Sequence, residues 1–217
     1  MNPDIGPFAG AQRLQNMSMS TIRKVMDRAK ALEREGHPVV SFSCGEPNFN
    51  TPAKIKQAVI RAIENNDSHY GSNRGYLPLR EEIAKRTLRS SGMDYDPETE
   101  IIVTCGCAEA INNSILAFAD PGDEVMLFSP AFVNYENVSA MCGAKVVRIP
   151  LRRENGFQID ADEVRKRLSP KTKMIVINNP CNPTGAVYPE ESLKKLSGLI
   201  CENNLIAVSD EIYCDLT

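Results

Sequence analysis

Short apolar runs alternate with helical stretches from residue 100 onward, and this alternation limits the possible folds more than any other feature of the chain. The apolar runs are residues 101–104, 124–128, 145–149, 174–177 and 205–209. Strands that are apolar on nearly every residue are covered on both faces, as in parallel sheets. The stretches between the runs predict helices over residues 108–118, 131–141, 161–168 and 190–203. The sequence therefore predicts an α/β fold in which helices flank a mainly parallel sheet.

The first hundred residues are organised differently. A helix is predicted over residues 22–32, and Gly36 would end it. Its N-cap candidates are Ser18 and Ser20. Residues 39–42 are a short strand candidate. Two more helices are predicted, one that follows the Thr51-Pro52 pair and one over residues 78–90.

Charge and hydropathy exclude two classes of partner. The 217 residues include 25 Lys and Arg against 28 Asp and Glu, a formal net charge of −3. A protein that binds the phosphate backbone would show a basic stripe, so no nucleic acid partner is expected. No apolar run approaches the roughly 20 residues that cross a bilayer, and the N-terminus does not resemble a secretory signal. We therefore expect no membrane partner and a cytoplasmic location.

Cysteine and histidine usage indicates reduced thiols and no metal centre. The chain has seven cysteines, an odd number, and two histidines. None of the cysteines forms a C-x-x-C pair, which a zinc site would often use. Free, mostly buried thiols are the simpler interpretation.

Three segments follow predicted strands, at the edge where open parallel sheets bind ligands. The first is residues 104–110 (Thr-Cys-Gly-Cys-Ala-Glu-Ala), where a strand turns tightly into a helix. The amides and the dipole at a helix start favour an anion, most naturally a phosphate. A plain strand-to-helix turn is the alternative, because one glycine meets neither the dinucleotide nor the P-loop pattern. Cys107 is either a reactive thiol at the helix start or a buried, inert cysteine.

The second segment is residues 178–185 (Asn-Asn-Pro-Cys-Asn-Pro-Thr-Gly), directly after a predicted buried strand. Two Asn-Pro pairs and a glycine within eight residues force a rigid, non-helical path. Such a path holds an amide side chain at a fixed place over the sheet edge. The alternative is a surface turn, but a turn needs only one proline or glycine, so we favour a functional segment.

The third segment is residues 209–213 (Ser-Asp-Glu-Ile-Tyr), which closes the last apolar run. A carboxylate at the end of a buried strand costs desolvation free energy unless it meets a cation or strong donors, so Asp210 is a candidate ligand-binding residue. Tyr213 could reach the same ligand. The alternative is an aspartate that caps the next helix.

Together the three segments describe a site for a heteroaromatic phosphate, with a helix start for the phosphate, an amide for a ring oxygen and a carboxylate for a ring nitrogen. Here the chain resembles the class I and II aminotransferases, pyridoxal-phosphate enzymes of fold type I, in the style of the aspartate aminotransferase branch. The resemblance extends from Ser41 to Tyr213. Its most specific motifs are residues 70–80 (Tyr-Gly-Ser-Asn-Arg-Gly-Tyr-Leu-Pro-Leu-Arg), 182–185 and 209–213.

The resemblance implies a role for each residue around the cofactor ring. Asp210 would pair with the pyridine nitrogen and keep it protonated, which makes the ring a better electron sink. Asn182 and Tyr213 would donate hydrogen bonds to the phenolic oxygen of the ring. Phe132 would stack on the ring face, although a Phe there could also be a core residue.

The resemblance also implies the phosphate and substrate contacts. The backbone at Cys107 and Ala108 would hold the phosphate of pyridoxal 5'-phosphate. The hydroxyl of Tyr70 from a neighbouring subunit would assist, so a homodimer is implied. Gly45 would face the substrate carboxylate, where a side chain would block the approach. Cis peptide bonds are expected before Pro130 and Pro183.

The domain division follows from the resemblance as well. Residues 1–50 would form the N-terminal arm and part of the small domain. Residues 51–217 would form the first part of the large, cofactor-binding domain, whose sheet would be incomplete.

The implied reaction transfers an amino group between an amino acid and a 2-oxo acid. In this family the lysine that binds the cofactor follows the tyrosine matched by Tyr213, and no lysine of this chain takes its place. We therefore expect the 217 residues to be the N-terminal portion of a longer enzyme and to be inactive alone. The alternatives are a C–S lyase that catalyses β-elimination on the same fold, and a non-catalytic, ligand-sensing domain.

Overall fold

The computed structural model describes residues 10–17, 21–42, 45 and 49–216. The chain forms two compact units. Residues 20–104 make up one unit, and residues 1–19 together with 105–217 make up the other. The predicted boundary between residues 50 and 51 stays a prediction.

The larger unit is built on a parallel four-stranded sheet in the order β2-β1-β3-β4. The strands are β1 (Glu124–Ser129), β2 (Lys145–Pro150), β3 (Thr172–Asn178) and β4 (Ile206–Asp210). The helices between and before them are α4 (Cys107–Phe118), α5 (Val133–Met141), α6 (Ala161–Arg165) and α7 (Glu190–Glu202). The predicted α/β class and the parallel sheet with flanking helices are therefore confirmed.

Two apolar clusters cover the two faces of this sheet, because successive side chains of a strand point to opposite faces. One cluster joins Val125 and Leu127 of β1 to Ile111 and Ile115 of α4. The other cluster contains Met126, Phe128, Ile175, Val164, Leu196 and Leu199. The central strands β1 and β3 are buried almost throughout, as the unbroken apolar runs predicted.

The edge strands β2 and β4 are only partly buried, because each has a neighbour on one side. The prediction of strands at residues 101–104 and 39–42 was wrong. Neither segment forms a strand. The N–H of Val103 instead donates to the carbonyl of Arg74 within the smaller unit. A strand needs a neighbour to complete its ladder, and apolar composition alone does not supply one.

The smaller unit contains α1 (Thr21–Arg34), α2 (Ala53–Glu64) and α3 (Leu77–Ser91). The predicted N-caps of α1, Ser18 and Ser20, lie outside the described residues. Gly92 ends α3 in the left-handed conformation at φ 73°, where glycine carries no steric penalty. Among the described residues no helix is both long and apolar enough to cross a membrane.

A buried arginine organises the smaller unit. The side chain of Arg80 in α3 is 4% exposed. Its Nε donates to the carbonyl of Gly75 at 3.1 Å, and its Nη1 donates to the carbonyl of Pro97. Gly75 adopts φ +92°, and a Cβ at this position would lie 2.7 Å from Cβ of Val103. These contacts fix the loop after residue 93 against α3.

A buried carboxylate ties three strands together at the end of the sheet where the strands begin. Glu124, the first residue of β1, accepts from Lys145 Nζ of β2 at 2.8 Å. It also accepts from Ser169 Oγ at 2.6 Å and from Thr172 Oγ1 of β3 at 3.3 Å. The hydrogen bonds from Lys145 and Ser169 lower the pKa of Glu124, against a smaller opposing effect of burial.

Replacing Glu124 by Gln is expected to lower the free energy of unfolding at pH 7 by about 1–3 kcal/mol. A carboxyl group with a lowered folded pKa stabilises the fold above its unfolded pKa, and this contribution is lost as the pH falls through the folded pKa. The difference between the two proteins in urea unfolding should therefore persist at neutral pH and shrink below pH 4.5, the usual carboxyl value.

The matched control is Glu191→Gln. Glu191 pairs with Lys195 at 2.8 Å, but its side chain is 81% exposed. An exposed pair of this kind contributes little to stability, because water and salt screen the two charges. Equal losses in the two variants would contradict the structural role of Glu124.

Candidate functional site

Six of the residues singled out in the sequence surround one open cavity in the larger unit. The cavity has a volume of about 240 Å³ and lies where β3 and β4 end and α4 begins. Its lining includes Cys107, Ala108, Phe132, Asn182, Asp210 and Tyr213. Parallel strands end at the same edge of a sheet, and this common edge is what brings together segments that are far apart in the chain.

Asp210 is the last residue of β4 and is only 6% exposed. Its Oδ2 accepts a hydrogen bond from the hydroxyl of Tyr135 at 2.7 Å, and its Oδ1 accepts from the N–H of Ile212 at 3.2 Å. Residues 211–213 form no helix, so Asp210 does not act as a helix N-cap. The carboxylate is instead a buried acceptor on the wall of the cavity.

The Asn-Pro segment is joined directly to this strand end. Asn178, the last residue of β3, pairs in register with Asp210 and donates from Nδ2 to the Asp210 carbonyl at 3.0 Å. The Oδ1 of Asn178 accepts from the N–H of Asn182 at 2.6 Å. Nδ2 of Asn182 lies 3.4 Å from the hydroxyl of Tyr213. A continuous series of hydrogen bonds therefore places the predicted amide of Asn182 next to Tyr213.

Peptide geometry in these segments also agrees with the sequence analysis. The bonds before Pro130 and Pro183 are both cis, as predicted. A third cis bond, before Pro180, was not predicted.

The first turn of α4 forms another part of the cavity wall. Gly106 is the N-cap and has φ 82°, a value that favours glycine. The carboxylate of Glu109 accepts from the N–H of Cys105 and so closes the helix start. The first N–H groups of a helix have no partner within it, and Cys107 and Ala108 both line the cavity.

Two aromatic side chains from the start of α5 complete the cavity wall. Phe132 is 37% exposed, and its ring meets that of Tyr135 edge to face at 5.7 Å with an interplanar angle of 83°. The sequence analysis predicted Phe132 but missed Tyr135. The available signal was spacing, because residues three apart at a helix start share a face.

Residues 37–217 match the family model described as aminotransferase class I and II. The chain belongs to this family.

Relatives and solved structures agree on the family. The chain is 40% identical to the aspartate/prephenate aminotransferase of Thermus thermophilus over 203 residues, which are 94% of this chain and 52% of that protein. It is 38% identical to the aspartate aminotransferase of Pyrococcus abyssi over 95% of this chain and 52% of that protein. A solved structure of the Thermus thermophilus aspartate aminotransferase with maleate superposes with a TM-score of 0.90 at 39% identity, over 94% of this chain and 53% of that one. The chain thus spans about half the length of these aminotransferases.

Two of the predicted site residues, Tyr70 and Gly45, belong to the smaller unit of this aminotransferase-family chain. Both are exposed. Their proposed contacts with phosphate and substrate stay predictions.

The thiol of Cys107 is not the activated nucleophile that a helix start can produce. Burial raises the pKa of Cys107 to about 11, with help from the negative charge of Asp210 and a hydrogen bond to its carboxylate. A nearby carboxylate disfavours the thiolate, and this effect opposes the helix dipole. The interpretation of Cys107 as an unreactive thiol is therefore the one that the structure supports.

Alkylation by iodoacetamide at pH 8 is expected to be much slower at Cys107 than at the exposed Cys201 of α7, because about a thousandth of a thiol with a pKa of about 11 is ionised there. In Asp210→Asn the rate at Cys107 should rise severalfold, since the repelling charge is gone. Peptide mass spectrometry measures both rates, and Cys201 serves as the internal control. Similar rates at the two thiols of the unaltered chain would contradict the assignment.

Proposed function

We propose that the chain is the N-terminal portion of a pyridoxal-phosphate-dependent aminotransferase that transfers an amino group between an amino acid and a 2-oxo acid. The observation that carries this proposal is the buried carboxylate of Asp210, which shares one cavity with Asn182, Tyr213 and the start of α4. Family membership supports the reaction class. The relatives are all named for amino-group transfer but for different amino acids, so we propose the reaction class and no particular substrate.

The charge of Asp210 fits the cofactor. Burying a carboxylate is unfavourable unless donors or a cation compensate it. Tyr135 and Ile212 supply neutral donors, and among the described residues no Lys, Arg or His forms an ion pair with Asp210. A protonated pyridine nitrogen is a cation of the size and chemistry that this wall of the cavity can accept.

Each remaining wall would hold one part of the cofactor. The amides of Cys107 and Ala108 at the start of α4 would bind the phosphate, with Tyr70 from a second subunit of a homodimer. Asn182 and Tyr213 would donate to the ring oxygen. Phe132 would cover the ring face, as its partial exposure at the cavity permits.

When bound, the cofactor supplies an electron sink for the electron pair released at the substrate carbon. The role of Asp210 is to hold a proton on the ring nitrogen, because a neighbouring carboxylate raises the pKa of that nitrogen. Gly45 would leave room for the substrate carboxylate.

We propose transamination for a protein of the relatives' length. The 217 residues alone are proposed to bind the cofactor without catalysing the reaction, because no lysine in them takes the place of the family's cofactor-binding lysine.

Asp210→Asn is expected to weaken the binding of pyridoxal 5'-phosphate by at least about tenfold, because a neutral amide cannot compensate the ring cation. Equilibrium dialysis of the purified chain measures the effect. Glu211→Gln is the matched control. It removes the same charge one residue along, at an exposed side chain that accepts from Ser209 Oγ at 2.8 Å. Equal affinity in the unaltered chain and Asp210→Asn would overturn the proposed site.

The reaction itself is tested in a protein of the relatives' length that contains this chain. Amino acids are supplied with and without a 2-oxo acid acceptor. Conversion of the acceptor into its amino acid, dependent on added pyridoxal 5'-phosphate, is the expected result. Release of ammonia without an acceptor would contradict amino-group transfer and indicate a lyase.

A further inference from the structure

Tyr135 lines the cavity and makes a buried hydrogen bond to Asp210, and the proposed function gives this tyrosine no role. It lies in the first turn of α5 and is 3% exposed. Its hydroxyl donates to Oδ2 of Asp210 at 2.7 Å across 75 positions of sequence. Both groups are buried, so this hydrogen bond to a charged acceptor is among the stronger ones that a protein can form.

The tyrosine is itself held rigidly. Its carbonyl accepts from Ser139 Oγ at 2.8 Å, and the side chain of Ser139 is fully buried. Its ring packs edge to face on Phe132. The ring contact with Phe132 and the place of Tyr135 in the apolar cluster with Ile111 and Ile115 restrict where the hydroxyl can point.

The contacts of Asp210 leave little freedom for its carboxylate. Tyr135 holds Oδ2, the N–H of Ile212 holds Oδ1 at 3.2 Å, and the thiol of Cys107 is a third neighbour. A carboxylate with a donor on each oxygen cannot turn without breaking a hydrogen bond. A carboxylate has about four lone-pair sites, so these three neighbours leave one for a ligand.

We propose that Tyr135 is a positioning residue that holds the Asp210 carboxylate in the orientation in which it meets the ring nitrogen of the cofactor. This inference rests on the proposed function. Tyr135 does not need to touch the cofactor in this role. It acts through Asp210, because an acceptor that is already oriented needs no reorganisation when the cation arrives.

A phenol suits this task better than a charged donor. Lys or Arg at this position would neutralise the carboxylate and weaken its attraction for a ring cation. The hydroxyl of Tyr135 stays protonated, because its pKa is raised well above the usual value. Burial is the largest cause, followed by the hydrogen bond to Asp210 and the charge of its carboxylate. The hydroxyl therefore orients the carboxylate and leaves its negative charge in place.

The test is a double-mutant cycle on the binding of pyridoxamine 5'-phosphate, a probe that needs no lysine. The four proteins are the unaltered full chain, Tyr135→Phe, Asp210→Asn and the double variant. Tyr135→Phe is expected to weaken binding about tenfold in the unaltered background and less than about twofold when Asp210 is already Asn. A merely structural tyrosine would give the same loss in both backgrounds.

Tyr188→Phe is the matched control. Tyr188 is also 3% exposed, but it packs in the cluster on the other face of the sheet, and its hydroxyl has no nitrogen or oxygen partner among the described residues. The affinity of the Tyr188→Phe variant for the probe should equal that of the unaltered chain. Thermal unfolding without the probe shows that each variant folds, and Tyr135→Met replaces Tyr135→Phe if the latter does not unfold cooperatively.

The outcomes separate the two proposals. Failure of the unaltered chain to bind the probe would overturn the proposed function and this inference with it. Binding that depends on Asp210 but is unchanged in Tyr135→Phe would overturn only the role of Tyr135. Equal losses from Tyr135→Phe in both backgrounds would also overturn it.

Discussion

The burial of one carboxylate, that of Asp210, constrains the rest of the larger unit. An ionised group in an apolar surrounding needs donors. Three elements donate to Asp210, two of them to its carboxylate and one to its backbone carbonyl. Strand β3 reaches the backbone of Asp210 through Asn178, helix α5 reaches its carboxylate through Tyr135, and the chain after β4 reaches it through Ile212. A shift of β4 against β3 by one residue would break the contacts from Asn178 and Tyr135 together, so the register of the sheet and the chemistry of the site depend on each other.

The two ends of the sheet use carboxylates for different purposes. Glu124, where the strands begin, is paired with the ammonium of Lys145 and with two hydroxyl groups. Asp210, where the strands end, has only neutral donors among the described residues and faces a cavity. A carboxylate with its own cation contributes to stability, whereas one without a cation can bind one from outside. This difference separates the structural end of the sheet from the end that we propose binds the cofactor.

The sequence was sufficient for the class of fold and for the residues at the sheet edge. Apolar runs alternating with helical stretches predicted four strands correctly, because burial on both faces demands apolar side chains at successive positions. Residues 101–104 have the same composition and form no strand, since a ladder requires a partner that composition does not reveal. Asn182, Asp210 and Tyr213 were predictable because each lies in a motif at or just after the end of a strand, and parallel strands end at one edge.

Local sequence could not show how these residues act on one another. The hydrogen bond from Tyr135 to Asp210 joins positions 75 residues apart. It exists only because the fold brings the first turn of α5 next to the end of β4. The raised pKa of Cys107 has the same origin, since a helix start by itself favours the thiolate and only the nearby carboxylate and burial reverse that preference. The type and order of residues can be read directly from the sequence. The burial of a side chain and the charges around it depend on residues that are distant in sequence, so they arise only when the chain folds.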